Sequence, residues 1–183
     1  MPTTYINFHA AITIPTVQNL MAAISQKLMM GTTEFYFLLS TPGGQVMSGL
    51  TLYNFLRGIP ATIKMHNVGN VDSIGNAIFV AADPPNRFAC DHSTFMFHGV
   101  GVDIQNARFE EKNAREVVHS ILADQKRIAD ILVARTSLSA NQARKLFREA
   151  RTKDATNAAA IGMVSNIIDV QIPPGADLVS LVL

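Results

Sequence analysis

A mostly parallel α/β sheet with flanking helices is the fold class this sequence predicts, and three observations carry the prediction. Strand-like and helix-like segments alternate through the first hundred residues, the order that builds strand–helix–strand crossovers. Residues 34–40 form an almost continuous apolar run (Phe35, Tyr36, Phe37, Leu38, Leu39), as expected of a strand covered on both faces. Glycine turns follow two of the strands, at Thr41-Pro42-Gly43-Gly44 and between Gly69 and Gly75. Both turns then fall at the carboxyl end of the sheet, where open α/β folds keep their sites.

Residues 5–14 alternate (Ile6, Phe8, Ala10, Ile12) as a strand that Pro15 closes. Thr16 is the expected N-cap of a helix through Met30, with Val17, Leu20, Met21, Ile24 and Leu28 at helical spacing and Gly31 ending it. A helix over 48–56 carries Leu50, Leu52, Tyr53 and Leu56. A strand over 62–68 leads through the second glycine turn into an apolar helix over 74–82. Asp83-Pro84-Pro85-Asn86 is a loop, and 87–90 and 94–98 are short strands.

Residues 106–135 read as one long helix with no proline or glycine, its stripe made of Val117, Val118, Ile121, Leu122, Ile128, Ile131 and Leu132. Thirty residues span roughly 45 Å, more than a domain of this size is wide, so the surplus is expected to pack on another subunit. Two helices bent over one domain is the alternative. Helices over 139–151 and 154–161, the latter stopped by Gly162, precede strands over 163–170 and 178–182. No linker or repeat divides the chain, so residues 1–183 form a single domain.

Of the 183 residues, 48% are hydrophobic and 16% charged, an apolar balance that favours subunit interfaces. A formal net charge of +1 offers no footprint for nucleic acid. No apolar run is long enough for a membrane span, and Met1-Pro2-Thr3-Thr4-Tyr5 does not open a secretory signal, so a cytoplasmic location is expected. Cys90 stands alone. With Asp91 and His92 it is contiguous and does not converge on an ion, so neither a metal nor a cofactor is expected.

The candidate chemistry lies in Ser73 and His98, 25 residues apart. Ser73 follows a strand on a glycine-flanked turn, a context that projects its hydroxyl and aims the next N–H, on Ile74, into the same space. It reads equally as a helix N-cap. His98 ends a strand and precedes Gly99, which leaves room for a substrate, whereas His9, His66, His92 and His119 lack that context. A serine hydroxyl needs such a base to become a nucleophile. Gly43-Gly44 reads either as a plain turn or as a backbone edge for an anion or an extended peptide.

Together these segments resemble the proteolytic subunit of the Clp protease, ClpP, within the ClpP/crotonase superfamily. The family's Ser-Pro-Gly-Gly turn corresponds to Thr41-Pro42-Gly43-Gly44 and its Gly-x-Ala-Ala-Ser-Met-Gly turn to Gly69-Asn70-Val71-Asp72-Ser73-Ile74-Gly75. The stretch from Arg87 to His98 corresponds to the segment that ends in the family's base, and the likeness covers residues 6–168. The resemblance implies a ClpP/crotonase-like fold with a long protruding handle helix and a serine endopeptidase acting on peptides or unfolded proteins. Ser73 would be the nucleophile and His98 the base. The N–H groups of Gly43 and Ile74 would form the oxyanion hole, with Gly44 pairing to substrate. It also implies stacked heptameric rings of identical subunits that enclose the sites.

Two departures qualify it. Ala150 stands where the family carries its triad aspartate, so either Asp154 or Glu149 substitutes or the centre is a weak serine–histidine dyad; Asp154 reads first as a helix N-cap. The alternative function is a catalytically degenerate ClpP-like subunit. The first strand starts about four residues in, without the segment relatives use to meet a Clp ATPase, which puts that partner in doubt. A crotonase-type enzyme binding acyl-CoA is a more distant possibility.

Overall fold

The computed structural model describes residues 2–103 and 110–182. In chain order the elements begin β1 (Thr3–His9), α1 (Ile14–Met29), β2 (Glu34–Thr41), α2 (Val46–Gly58), β3 (Thr62–Asp72) and α3 (Gly75–Phe79). Then come β4 (Arg87–Ala89), β5 (Thr94–Met96), α4 (Glu111–Arg135) and α5 (Ala140–Glu149). The chain finishes with β6 (Thr152–Asp154), α6 (Ala155–Ala160), β7 (Asn166–Ile167) and β8 (Asp177–Val182). The sheet runs β6-β5-β3-β2-β1-β8, with β4 beside β3 and β7 beside β4. Every pairing is parallel except β5 with β6.

β3 is the organising strand. Its first half pairs with β4 (Met65↔Arg87 to Asn67↔Ala89) and its last three residues with β5 (Asn70↔Thr94 to Asp72↔Met96). The strand thus runs four residues past the expected end at 68, straight up to Ser73. Because β5 takes the far half of β3, only a three-residue edge is left for β4. Accordingly the expected strand over 163–170 shrinks to two paired residues in β7.

Pro15 opens a helix rather than closing a strand. Its fixed φ and missing N–H suit a first helical turn, and the cap is Thr13. Thr16, expected as the cap, sits three positions on and completes a capping box: Thr16 N–H donates to Thr13 Oγ1 at 3.3 Å and Thr13 N–H to Thr16 Oγ1 at 2.9 Å.

In β2, burial alternates from Glu34 to Phe37 and becomes continuous only toward Thr41. The start of the sheet is therefore covered on one face, by Phe35 and Phe37 against the core; Tyr36 and the Lys64–Glu34 ion pair lie half-exposed on the other. The buried cluster joins β1, β2 and β3 to α1, α2 and α3 and takes in only Ile128, Ala129 and Leu132 from α4. The rest of that 25-residue helix, about 37 Å long, carries Val118 and Leu122 more than half exposed. The start of the handle expected from 106 lies partly outside the described residues.

The helix after Ser73 is five residues, not nine. Side chains claim the carbonyls beyond it: Arg87 donates to Val80 O and Ala82 O, and Arg57 to Ala81 O. Arg87 is completely buried and also donates to Arg135 O and Gly162 O, so one guanidinium ties together three helix ends. Burial lowers its pKa to about 10. No helix among the described residues is long and apolar enough to cross a membrane.

Candidate active site

Ser73 occupies the left-handed region, with φ +56°, a conformation that costs an ordinary side chain 1–2 kcal/mol or so. The strain arises because β3 must reverse into α3 within two residues while Ser73 stays in the ladder. Its N–H donates to Met96 O at 2.9 Å. That bond extends the β3–β5 register (Asp72↔Met96) by one step and fixes the serine beside the end of β5, two residues before His98. His98 is half-buried. No hydrogen bond joins the Ser73 hydroxyl to the imidazole among the described residues, so the two stand on adjacent strand ends without being engaged.

Gly43 packs directly on the serine. A Cβ built there would lie 2.7 Å from Ser73 Cβ and 2.8 Å from Asp72 O, and φ is +84°, so only glycine fits. Gly44 forms an isolated parallel bridge with Ile12: Ile12 N–H donates to Gly43 O and Gln45 N–H to Ile12 O, both at 2.8 Å. Carbonyl and amide directions alternate along an extended chain, so the N–H and C=O of Gly44 face away from Ile12 and make no bond among the described residues. The Gly43 N–H, in contrast, donates to Thr41 Oγ1 at 3.1 Å. The Ile74 N–H is free of partners among the described residues. Its side chain is fully buried against Gly49 of α2, where any Cβ would collide with it.

Asp72, one residue before the serine, is turned away from it. Its carboxylate accepts from Asn70 Nδ2 at 2.7 Å, and the same amide donates to Thr41 O while Asn70 Oδ1 accepts from Ser40. Gly99 faces α4, where Gln125 Oε1 would lie 3.0 Å from an added Cβ.

The β5–β6 ladder decides the question of the third residue. Thr94 pairs with Asp154, Phe95 with Lys153 and Met96 with Thr152, and Phe97 N–H donates to Arg151 O at 2.9 Å. One further step sets Ala150 across from His98. Asp154 is four residues down that ladder, about 14 Å away at 3.4 Å per residue. It caps α6, accepting from Asn157 N–H and Nδ2, and the backbone bond from Asn157 is the main reason its pKa is lowered. Glu149 points elsewhere too, accepting from Arg151 Nε at 3.1 Å with Lys145 at 3.8 Å. Among the described residues neither acid forms a hydrogen bond or ion pair with His98. Ala150 itself is left-handed, φ +48°.

Asn76 escaped the sequence reading, although it is the one polar side chain in the apolar stretch 74–82. Its Nδ2 donates to Ser73 O at 3.0 Å and to Met96 O at 2.8 Å. A second histidine passed over is His66, fully buried between Tyr36 OH (2.8 Å from Nδ1) and Ile168 O (3.1 Å from Nε2), with Cys90 Sγ 3.5 Å from Nε2. Burial lowers its pKa, and burial pushes Tyr36 up to about 12. No set of three His, Cys, Asp or Glu side chains that could hold a metal ion occurs among the described residues.

A strained serine on a strand-to-helix elbow thus lies beside a histidine-bearing strand and a glycine edge. The chain belongs to the Clp protease family, whose model matches residues 7–171. Among solved structures it is similar to a point mutant of ClpP1 from Listeria monocytogenes, at 20% identity over 91% of this chain and 92% of that one, with a TM-score of 0.82.

Proposed function

We propose that this chain is a ClpP-like serine endopeptidase with a two-residue, serine–histidine catalytic centre. The observation that carries the reading is the backbone of Ser73: a non-glycine residue held at positive φ and bonded to β5 just ahead of His98. In this reading the Ser73 hydroxyl attacks a peptide carbonyl while His98 takes its proton. The resulting oxyanion is met by the Ile74 N–H and, because the Gly43 N–H is committed to Thr41, by the Gly44 N–H rather than that of Gly43. His98 then protonates the departing amine, and water releases the acyl group by the same steps in reverse. Gly43 keeps the space beside the serine open. The exposed handle residues Val118 and Leu122 support assembly into stacked rings enclosing the sites. A cytoplasmic location stays part of this reading.

A fluorophosphonate probe should label the wild-type chain and fail on Ser73→Ala. A folded wild type that stays unlabelled would overturn the reading. One observation favours a second one: Ala150 leaves His98 without a carboxylate across the ladder, as a degenerate structural subunit would. Absence of labelling together with intact assembly is the result that would select it.

A further inference from the structure

From the bonds of Asn76 we infer that this residue positions the nucleophile: its side-chain amide staples the Ser73 peptide to the strand that carries His98. The inference deepens the peptidase reading and rests on it for its catalytic consequence. Asn76 is almost completely buried in the first turn of α3. Nδ2 bridges two carbonyls, Ser73 O on the elbow and Met96 O at the end of β5. Neither carbonyl needs the amide to be satisfied. Ser73 O already accepts from Asn76 N–H at 3.1 Å, and Met96 O from Ser73 N–H at 2.9 Å.

The amide also brings a liability. Asn76 Oδ1 is buried with no partner, the only such side-chain atom among the described residues. A buried acceptor without a donor costs stability, and an apolar side chain of similar shape avoids that cost. Turning the amide over would be worse, because it would aim Oδ1 at two carbonyls. For folding alone, then, leucine serves this position as well or better. What asparagine adds is a further tie between β3 and β5, at the place where a strained serine must be held against its base. With alanine at 150, no carboxylate across the ladder orients His98, so alignment depends on what fixes the serine.

The test uses Asn76→Leu and Asn76→Ala in the full-length chain, with Leu20→Ala in α1 as a core variant that leaves the elbow untouched. Three quantities are read: Tm, amide hydrogen exchange at the Ser73 N–H, and the rate constant for fluorophosphonate labelling of Ser73. The expected result is a Tm for Asn76→Leu equal to or above wild type, at least tenfold faster exchange at Ser73, and labelling slowed on the order of 10- to 100-fold, the scale of a misplacement near 1 Å. In turnover of a peptide, kcat should fall with KM little changed. Unchanged exchange and labelling in folded variants would overturn the inference. So would labelling losses that merely follow Tm, as in Leu20→Ala, or failure of both Asn76 variants to fold. A wild type that is never labelled removes the peptidase reading, and the exchange measurement still decides whether the staple exists.

Discussion

Replacing Ala150 with aspartate should raise activity, and the structure sets both the reach and the ceiling. The β5–β6 register carries residue 150 to the position across from His98. Directly opposed residues on antiparallel strands have Cβ atoms ~4.5–5.5 Å apart, a gap that an aspartate carboxylate and an imidazole close to hydrogen-bonding distance. The backbone accepts the change. Ala150 is held at φ +48°, a region that aspartate tolerates better than alanine, and the residue is exposed, so Tm should not fall. Removing the carboxylate from a serine triad lowers kcat about 10⁴-fold, roughly 5.5 kcal/mol, which bounds the gain from restoring it. An increase of at least about 10²-fold is expected in both the labelling rate and peptide turnover. Asp154→Ala is the control. It should lower Tm modestly as a cap is removed and leave turnover unchanged. An Ala150→Asp chain that folds normally, yet labels and turns over at the parent rate, would refute the argument that the ladder brings residue 150 to the histidine.

Arg87→Met should lower Tm steeply, by about 3–5 kcal/mol in ΔG of unfolding, since carbonyls at the ends of three helices lose a buried donor at once; Arg135 still reaches Val80 O and Ala82 O. Calorimetry of the variant checks it, and a loss below about 1 kcal/mol would contradict the clamp. His66 should make the fold acid-sensitive. Its folded pKa lies below the ordinary 6.5, so the unfolded chain takes up a proton first, and stability present above pH 6.5 declines as pH falls below that value. His66→Phe should flatten that decline in Tm between about pH 7 and 5.

The outline of this fold was legible because it depends on patterns the sequence writes out locally. Apolar periodicity marked α1, β2 and α4, and glycine turns marked the carboxyl ends of β2 and β3. What could not be read rests on partners distant in the chain. Thr152, Lys153 and Asp154 carry no strand signal of their own; they become β6 only because the end of β5 offers an open edge. Thr13 looked like the tail of a strand because Pro15 suits both a strand end and a first helical turn, and only the reciprocal bonds with Thr16 distinguish them. In the sequence His66 lies within a strand-like run and His98 closes one. The sheet buries one behind Tyr36 and leaves the other half-open, a difference set by β4 and the segment at Ile168. Ser73 was found from its glycines, whereas its positive φ and the bond to Met96 belong to the assembled sheet.

Energetics bear on the choice between an enzyme and an inert subunit. Holding Ser73 left-handed costs ~1–2 kcal/mol. The unpartnered Asn76 Oδ1 adds ~1–3 kcal/mol, in a chain whose whole stability is on the order of 10 kcal/mol. Each cost can be removed by one substitution, glycine at 73 or leucine at 76, without touching the ladder bonds that hold the sheet together. A subunit that only assembles gains nothing from a strained serine, from an amide that satisfies no otherwise orphaned group, or from a glycine edge turned away from Ile12. In the proposed peptidase reading these three features share one use, the presentation of a hydroxyl and of main-chain donors to an extended peptide. In that reading Ala150 weakens the base, while the housing of the proposed nucleophile remains built at a cost that assembly does not require.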